Sequence, residues 1–233
     1  TSQKLGFKNP TFNSVDSVSD RDFVLEFLSS ASICSVHLSR FAEEMILWSN
    51  QQFNFIKLNE KFTTGSSIMP QKRNPDAAEL IRGKTGRIIG SLVGLLNVIK
   101  ALPLAYSKDL QEDKEGLFDS VDTILLLTTV STEMIKEMEI NSKNMEEALN
   151  KGFPNATDIA DWLVDNIKIP FREAHSISGK IVKLAEKKNC RLDELNIEEI
   201  QSIDKKINKE VYNYLSIKNS LKSKRSFGGT SPI

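Results

Sequence analysis

Apolar residues recur along the first third of the chain at alternating steps of four and three. They are Phe23, Phe27, Ala31, Cys34, Leu38, Phe41, Met45 and Trp48. That spacing predicts one helical seam from about Asp20 to Asn50. At 1.5 Å per residue such a helix runs roughly 45 Å, too long for a small compact domain unless it lies in a bundle. A second helix is predicted from Pro75 to about Lys100, with Gly83, Gly86, Gly90 and Gly94 in one stripe. Each helical glycine costs about 1 kcal/mol relative to alanine, so the stripe predicts close approach of a neighbouring helix. A third, from about Leu117 to Ile140, carries Val121, Ile124, Leu125, Leu126, Leu127, Val130 and Ile135 over most of its surface. It is expected to be buried on several sides.

Beyond Ile140 the pattern shortens and gains charge, with breaks at Gly152-Phe153-Pro154 and Lys168-Ile169-Pro170. A boundary near Asn141 divides residues 1–140, part of a long-helix bundle, from a smaller helical domain at 141–233. Strand patterns are negligible, so the fold class is all-α. Three long helices with this much apolar surface are expected to belong to a larger bundle completed by further helices.

Charge narrows the function classes. Thirty-one basic and thirty-one acidic residues cancel, which argues against a nucleic-acid binder that relies on phosphate neutralisation. The basic run from Lys218 to Arg225 reads as a solvated helix end. Cys34 and Cys190 are too few for a disulfide framework or a metal cluster and fit a reducing, cytoplasmic setting. Apolar runs are interrupted by charge well short of the ~20 residues of a membrane span. Neither a metal nor a cofactor is expected.

The densest chemistry lies in the loop at 63–76, which contains Thr64-Gly65-Ser66-Ser67-Ile68-Met69-Pro70-Gln71-Lys72-Arg73-Asn74-Pro75-Asp76. Gly65 is read as the residue that lets two serines follow on a sharp turn. Asn74-Pro75 reads as a helix cap followed by proline at the first helical position. Asp76 and Glu79 fall in the first turn, where the helix dipole favours negative charge. The segment thus carries Ser66, Ser67 and Lys72 to a helix N-terminus, where unpaired N–H groups attract anions. Taken singly, Asn74 is accounted for as a cap, Lys72 and Arg73 as a solvated pair, and the serines as a polar turn. Their combination between two long helices is that of a binding loop or lid, with residues 63 to 72 expected to be disordered or open without ligand.

These residues resemble the G-S-S-x-M-P-x-K-x-N-P signature of the fumarase/aspartase superfamily. Gln71, followed by Lys72-Arg73-Asn74-Pro75-Asp76, is similar to argininosuccinate lyases, as is the run Tyr106-Ser107-Lys108-Asp109-Leu110-Gln111-Glu112-Asp113-Lys114-Glu115. Shorter matches are Ser19-Asp20-Arg21-Asp22-Phe23, Pro170-Phe171-Arg172-Glu173-Ala174-His175 and Gly228-Gly229-Thr230. The superfamily's histidine motif and N-terminal substrate-binding segments are not in this sequence. The chain is therefore expected to be about half of a longer one, with Ile233 not a natural stop, and to be inactive by itself.

The resemblance implies reversible elimination of argininosuccinate to arginine and fumarate, a step of arginine biosynthesis. It implies Ser66 as the base, with Lys72 and Asn74 on the reacting carboxylate and Ser67 as a further substrate contact. Glu79 would orient a histidine from outside this sequence, although a helix-dipole charge accounts for it equally well. Tyr106, Gln111 and Lys114 would bind the rest of the substrate. Lys108, Asp109 and Asp113 are read as structural ion-pair partners, and His37 and His175 as packed or hydrogen-bonded structural residues. The resemblance also implies a homotetramer with active sites shared between subunits. Two readings compete: another fumarate-releasing lyase such as adenylosuccinate lyase, and a silent crystallin-like relative.

Overall fold

The computed structural model describes residues 1–149 and 152–232; Ile233 and residues 150 and 151 lie outside them. Two compact units result, Thr1–Asn141 and Ser142–Ile233. The fold is all-α, with one short antiparallel strand pair among the described residues.

The first unit opens with a short helix α1 (Ser14–Ser19), capped by Asn13, whose side chain accepts from the Val15 and Asp16 amides. Its frame is three long helices: α2 (Asp22–Ser49), α3 (Asp76–Ile99) and α4 (Glu115–Glu137). Strand β1 (Ile56–Lys57) follows α2 and pairs with β2 (Glu139–Ile140) after α4, placing Ile56 opposite Ile140. Asn50 ends α2 by accepting from the Gln52 and Phe53 amides, both at 2.9 Å, which turns the chain toward β1.

The buried stripe of α2 shares only Ala31 and Met45 with the predicted seam. Val24, Leu28, Ala31, Ser35, Ala42 and Met45 face inward, while Phe23 is 66% exposed and Cys34 is also outside. The period is the predicted one, but its phase is about one residue away. Small residues on the inner face let α3 come close, and the Thr85 hydroxyl crosses to the Ser35 carbonyl at 3.1 Å. Of the phenylalanines in the stronger apolar stripe, Phe23 points outward, while Phe27 is half-buried against Val24, Leu28 and Leu95.

Two further expectations fail within this chain for the same reason. The buried positions of α4 are Ser120, Thr123, Leu127, Ser131 and Met134, whereas Leu125 and Leu126 are exposed. A Cβ added at Gly83, Gly86, Gly90 or Gly94 would meet nothing within 4 Å. The close approach belongs instead to Gly116 at the start of α4, where a Cβ would stand 3.3 Å from the Ser91 side chain.

The second unit is built from short helices: α5 (Ser142–Leu149), α6 (Ala156–Trp162), α7 (Phe171–Lys188), α8 (Ile197–Gln201), α9 (Tyr212–Leu215) and α10 (Ile217–Ser223). The two sequence breaks carry left-handed backbone at Gly152, Phe153 and Lys168. Helix α7 buries Ala174, Ile177, Ile181 and Ala185 at helical spacing against Ile159, Trp162 and Leu163. Polar ties finish the unit. The Tyr212 hydroxyl donates to the Leu195 carbonyl at 2.6 Å, and Lys224 reaches the buried Asp158 carboxylate at 2.6 Å.

Candidate active site

The loop between β1 and α3 is closed at its neck. Thr64 N–H donates to the Asn74 carbonyl at 3.0 Å, and Asn74 N–H returns to the Thr64 carbonyl at 2.8 Å. The Thr64 hydroxyl also donates to the Asp76 carboxylate in the first turn of α3. Beyond the neck, Ile68 at the tip is 86% exposed. The lid expected to stand open is therefore a pinched loop with a bare tip.

Ser66 is half-buried, and its Oγ accepts from the backbone amides of Ile68 and Met69, each at 3.2 Å. Two N–H dipoles thus converge on the one oxygen that would have to carry negative charge as a base. Ser67 is exposed beside it. Gly65 differs from expectation: its φ is not left-handed, so the turn does not depend on it for that reason. It lies instead in ordinary contact range of Arg73, whose Nη1 would be 3.9 Å from an added Cβ.

Asn74 differs as well. The position before α3 is Pro75, and no side chain caps this helix. The Asn74 backbone is engaged in the neck, and its half-buried side chain is left for other use. It lines a cleft of about 620 Å³ with Met69, Gln71, Lys72 and Glu79, to which Asn50 and Ile56 also contribute. Ser66 and Ser67 do not line that cleft. One chain therefore gathers Lys72, Asn74 and Glu79, with the serine hydroxyls farther along the same loop.

Tyr106, Gln111 and Lys114 are elsewhere. Residues 108–113 form a 3-10 turn, in which positions three apart lie on one face, so Gln111 and Lys114 share a side. All three residues are exposed. Their segment packs near Ser91, Gly94 and Leu95 of α3, at least fifteen residues, roughly 23 Å of helix, beyond Asp76. The chain does not bring them to the loop.

Asp113 anchors this second cluster. It is buried, accepts from Lys114 at 2.7 Å and pairs with Arg21 at the start of α2. Burial would raise its carboxyl, but the bonds from Lys114 and Arg21 outweigh that and hold it below the ordinary carboxylate range. Arg21 and Asp113 belong to two separate matched segments, and the ion pair clasps them. The sequence marks Asp113 as a structural ion-pair partner without showing which cation it meets. Lys114 meets that carboxylate while its own end remains exposed. The two histidines are not packed: His37 is exposed on α2, and His175 is exposed on α7 beside Phe171, ring centres 6.2 Å apart. No group of three or more metal-ligating side chains occurs among the described residues.

Comparison with known proteins matches residues 1–90 to the family model described as Lyase and residues 153–222 to Argininosuccinate lyase C-terminal. The chain is 56% identical over its whole length to an argininosuccinate lyase of Chelativorans sp. (strain BNC1), covering 49% of it. It is 57% identical to that of Bartonella tribocorum (strain CIP 105476 / IBS 506), with 99% of this chain covering 50% of the relative. The chain thus spans about half the length of the curated relatives it matches. Among solved structures, an EDDS lyase in complex with formate superposes with a TM-score of 0.88 at 28% identity, over 98% of this chain and 47% of that one. A variant of EDDS lyase with bound fumarate gives the same TM-score at 27% identity, with the same coverage.

Proposed function

As the chain belongs to the argininosuccinate lyase family, we propose that the longer protein containing it converts L-argininosuccinate reversibly to L-arginine and fumarate. The proton beside a carboxylate moves to Ser66 Oγ. The C–H electron pair enters that carboxylate, giving a doubly negative aci form. The pair then returns to form the C=C bond of fumarate as the C–N bond breaks, and the departing guanidino nitrogen takes up a proton.

The two amides directed at Ser66 Oγ are the observation that carries this reading. An ordinary serine is a very poor base at neutral pH, so its alkoxide needs preorganised donors in a site closed to water. Lys72 and Asn74 in the cleft would hold the reacting carboxylate, with Ser67 as a neighbouring hydroxyl. Glu79 would orient a histidine supplied from outside this chain. Gln71 beside Lys72 supports argininosuccinate as the substrate. Tyr106, Gln111 and Lys114, a helix length away, would serve a site on another copy. A homotetramer with shared sites, working in the cytoplasm in arginine biosynthesis without metal or cofactor, is consistent with that separation, and this chain alone would be inactive.

In the full-length protein, Ser66→Ala is expected to lower kcat about 10³-fold, within the range of a general base. Substrate affinity should change less than about threefold, because the truncation removes no group that neutralises the substrate's charge. Ultraviolet absorbance of released fumarate reads the first quantity and calorimetric titration the second. Turnover that survives the substitution would show that serine is not the base.

A further inference from the structure

Arg73 has no role in the scheme above, yet its side chain donates to two backbone carbonyls of the loop and to a carboxylate outside it. Its Nη1 donates to the Pro70 carbonyl at 3.2 Å and to the Lys72 carbonyl at 3.3 Å, while Nη2 reaches Glu60 Oε1 at 3.4 Å. A Cβ added at Gly65, the residue before Ser66, would stand 3.9 Å from Nη1. The guanidinium therefore brackets the turn at 70–72 from a side chain that stays half exposed. Glu60 holds it from the short turn at Glu60–Phe62, outside the neck.

We propose that Arg73 is a positioning residue: with Glu60 it sets the turn at 69–72, and through that turn the direction of Lys72 and the amide pair on Ser66. The proposal rests on the reading of Ser66 and Lys72 as catalytic groups. Three features support it. The turn contains the Lys72 N–H to Met69 carbonyl bond at 3.0 Å, so the Met69 amide that faces Ser66 and the Lys72 side chain belong to one unit. A planar guanidinium can address two carbonyls and a carboxylate together, whereas an ammonium on a flexible stem cannot hold that fork. Finally, the Arg73–Glu60 pair is exposed, at 54% and 83% of their side chains, so it contributes little to global stability. Its use is local geometry.

The test is made in the full-length protein with Arg73→Lys, Arg73→Met and Glu60→Gln. Arg73→Lys is expected to lower kcat about 10-fold and Arg73→Met about 100-fold, with KM within threefold and Tm within 2 °C of wild type. Glu60→Gln should fall between wild type and Arg73→Lys. Amide hydrogen exchange at Ile68, Met69 and Lys72 should accelerate about 10-fold in Arg73→Met and remain unchanged elsewhere. Methylguanidinium in solution should restore part of the turnover of Arg73→Met. Wild-type exchange and wild-type kcat in Arg73→Met would overturn the proposal, as would a fall in Tm that accounts for the lost turnover. If wild-type protein fails to release fumarate from argininosuccinate, the functional reading fails, while the exchange data still decide the role of Arg73 in the loop.

Discussion

The two units solve the problem of burial in opposite ways. Residues 142–233 put their large side chains inside: Trp162, Leu163, Ile181 and Leu192 are almost fully buried in one cluster with Ile159, Val211 and Leu215. Residues 1–141 have far longer helices, yet the faces they turn to one another are rich in Ala, Ser and Thr. Phe23, Ile33, Val93, Phe118, Leu125 and Leu126 remain largely outside. Long helices are therefore not evidence of a finished core. The first unit thus leaves outside the kind of side chain that the second encloses.

Separating the units gives the largest expected effect. Expressed alone, residues 142–233 should unfold cooperatively and remain monomeric, while residues 1–141 should self-associate and bind the dye ANS. Sedimentation and dye fluorescence check both outcomes. A monomeric, dye-silent first unit would remove the contrast.

Asp113→Asn probes the one deeply paired charge in the first unit. It leaves Arg21 facing a neutral partner in a poorly solvated position, and breaking such a pair typically costs 3–5 kcal/mol, so about 3 kcal/mol is expected here. The sign of the pH effect follows from the lowered carboxyl pKa. The contribution is present in full above the ordinary aspartate value of about 3.9 and is lost as pH falls through the lower folded value. Urea melts between pH 6 and pH 3 should show wild type losing its advantage over the variant at the acid end.

Gly90→Ala gives the smallest effect and the sharpest one. In this unit the new methyl meets nothing within 4 Å, so helix propensity alone should add up to about 1 kcal/mol of stability. In the full-length assembly the sign should reverse if another helix covers the stripe. Thermal melts of both forms would read the difference.

Helix positions were legible in the sequence because length and period are local properties. The span read as Asp20–Asn50 is Asp22–Ser49, and that read as Pro75–Lys100 is Asp76–Ile99. Which face each helix buries was not legible. Phe23 and Phe27 dominate a hydrophobicity count, whereas a seam of Ala31, Ser32, Ser35 and Ala42 gives almost no such signal. Period without phase cannot say whether the strongest stripe meets a neighbour in the same chain. The candidate site divides the same way. The loop members were visible as a motif, but Asn74 was mistaken for a cap because the residue type and the following proline fit that use. Its engagement in the neck with Thr64 is a backbone contact that no residue type announces. Arg73 reads in the sequence as half of a solvated pair, since nothing there marks which cation bonds to the carbonyls of its own loop.

Helix α3 joins the Ser66–Asn74 loop at one end to the Tyr106–Lys114 segment near the other, with no proline between Asp76 and Ile99 to bend it. It serves as a ruler. An added turn would leave each side chain on its old side but displace one cluster from the other by about 5.4 Å, more than a hydrogen bond can span. The length of this helix therefore fixes how far apart the two clusters stand in one chain.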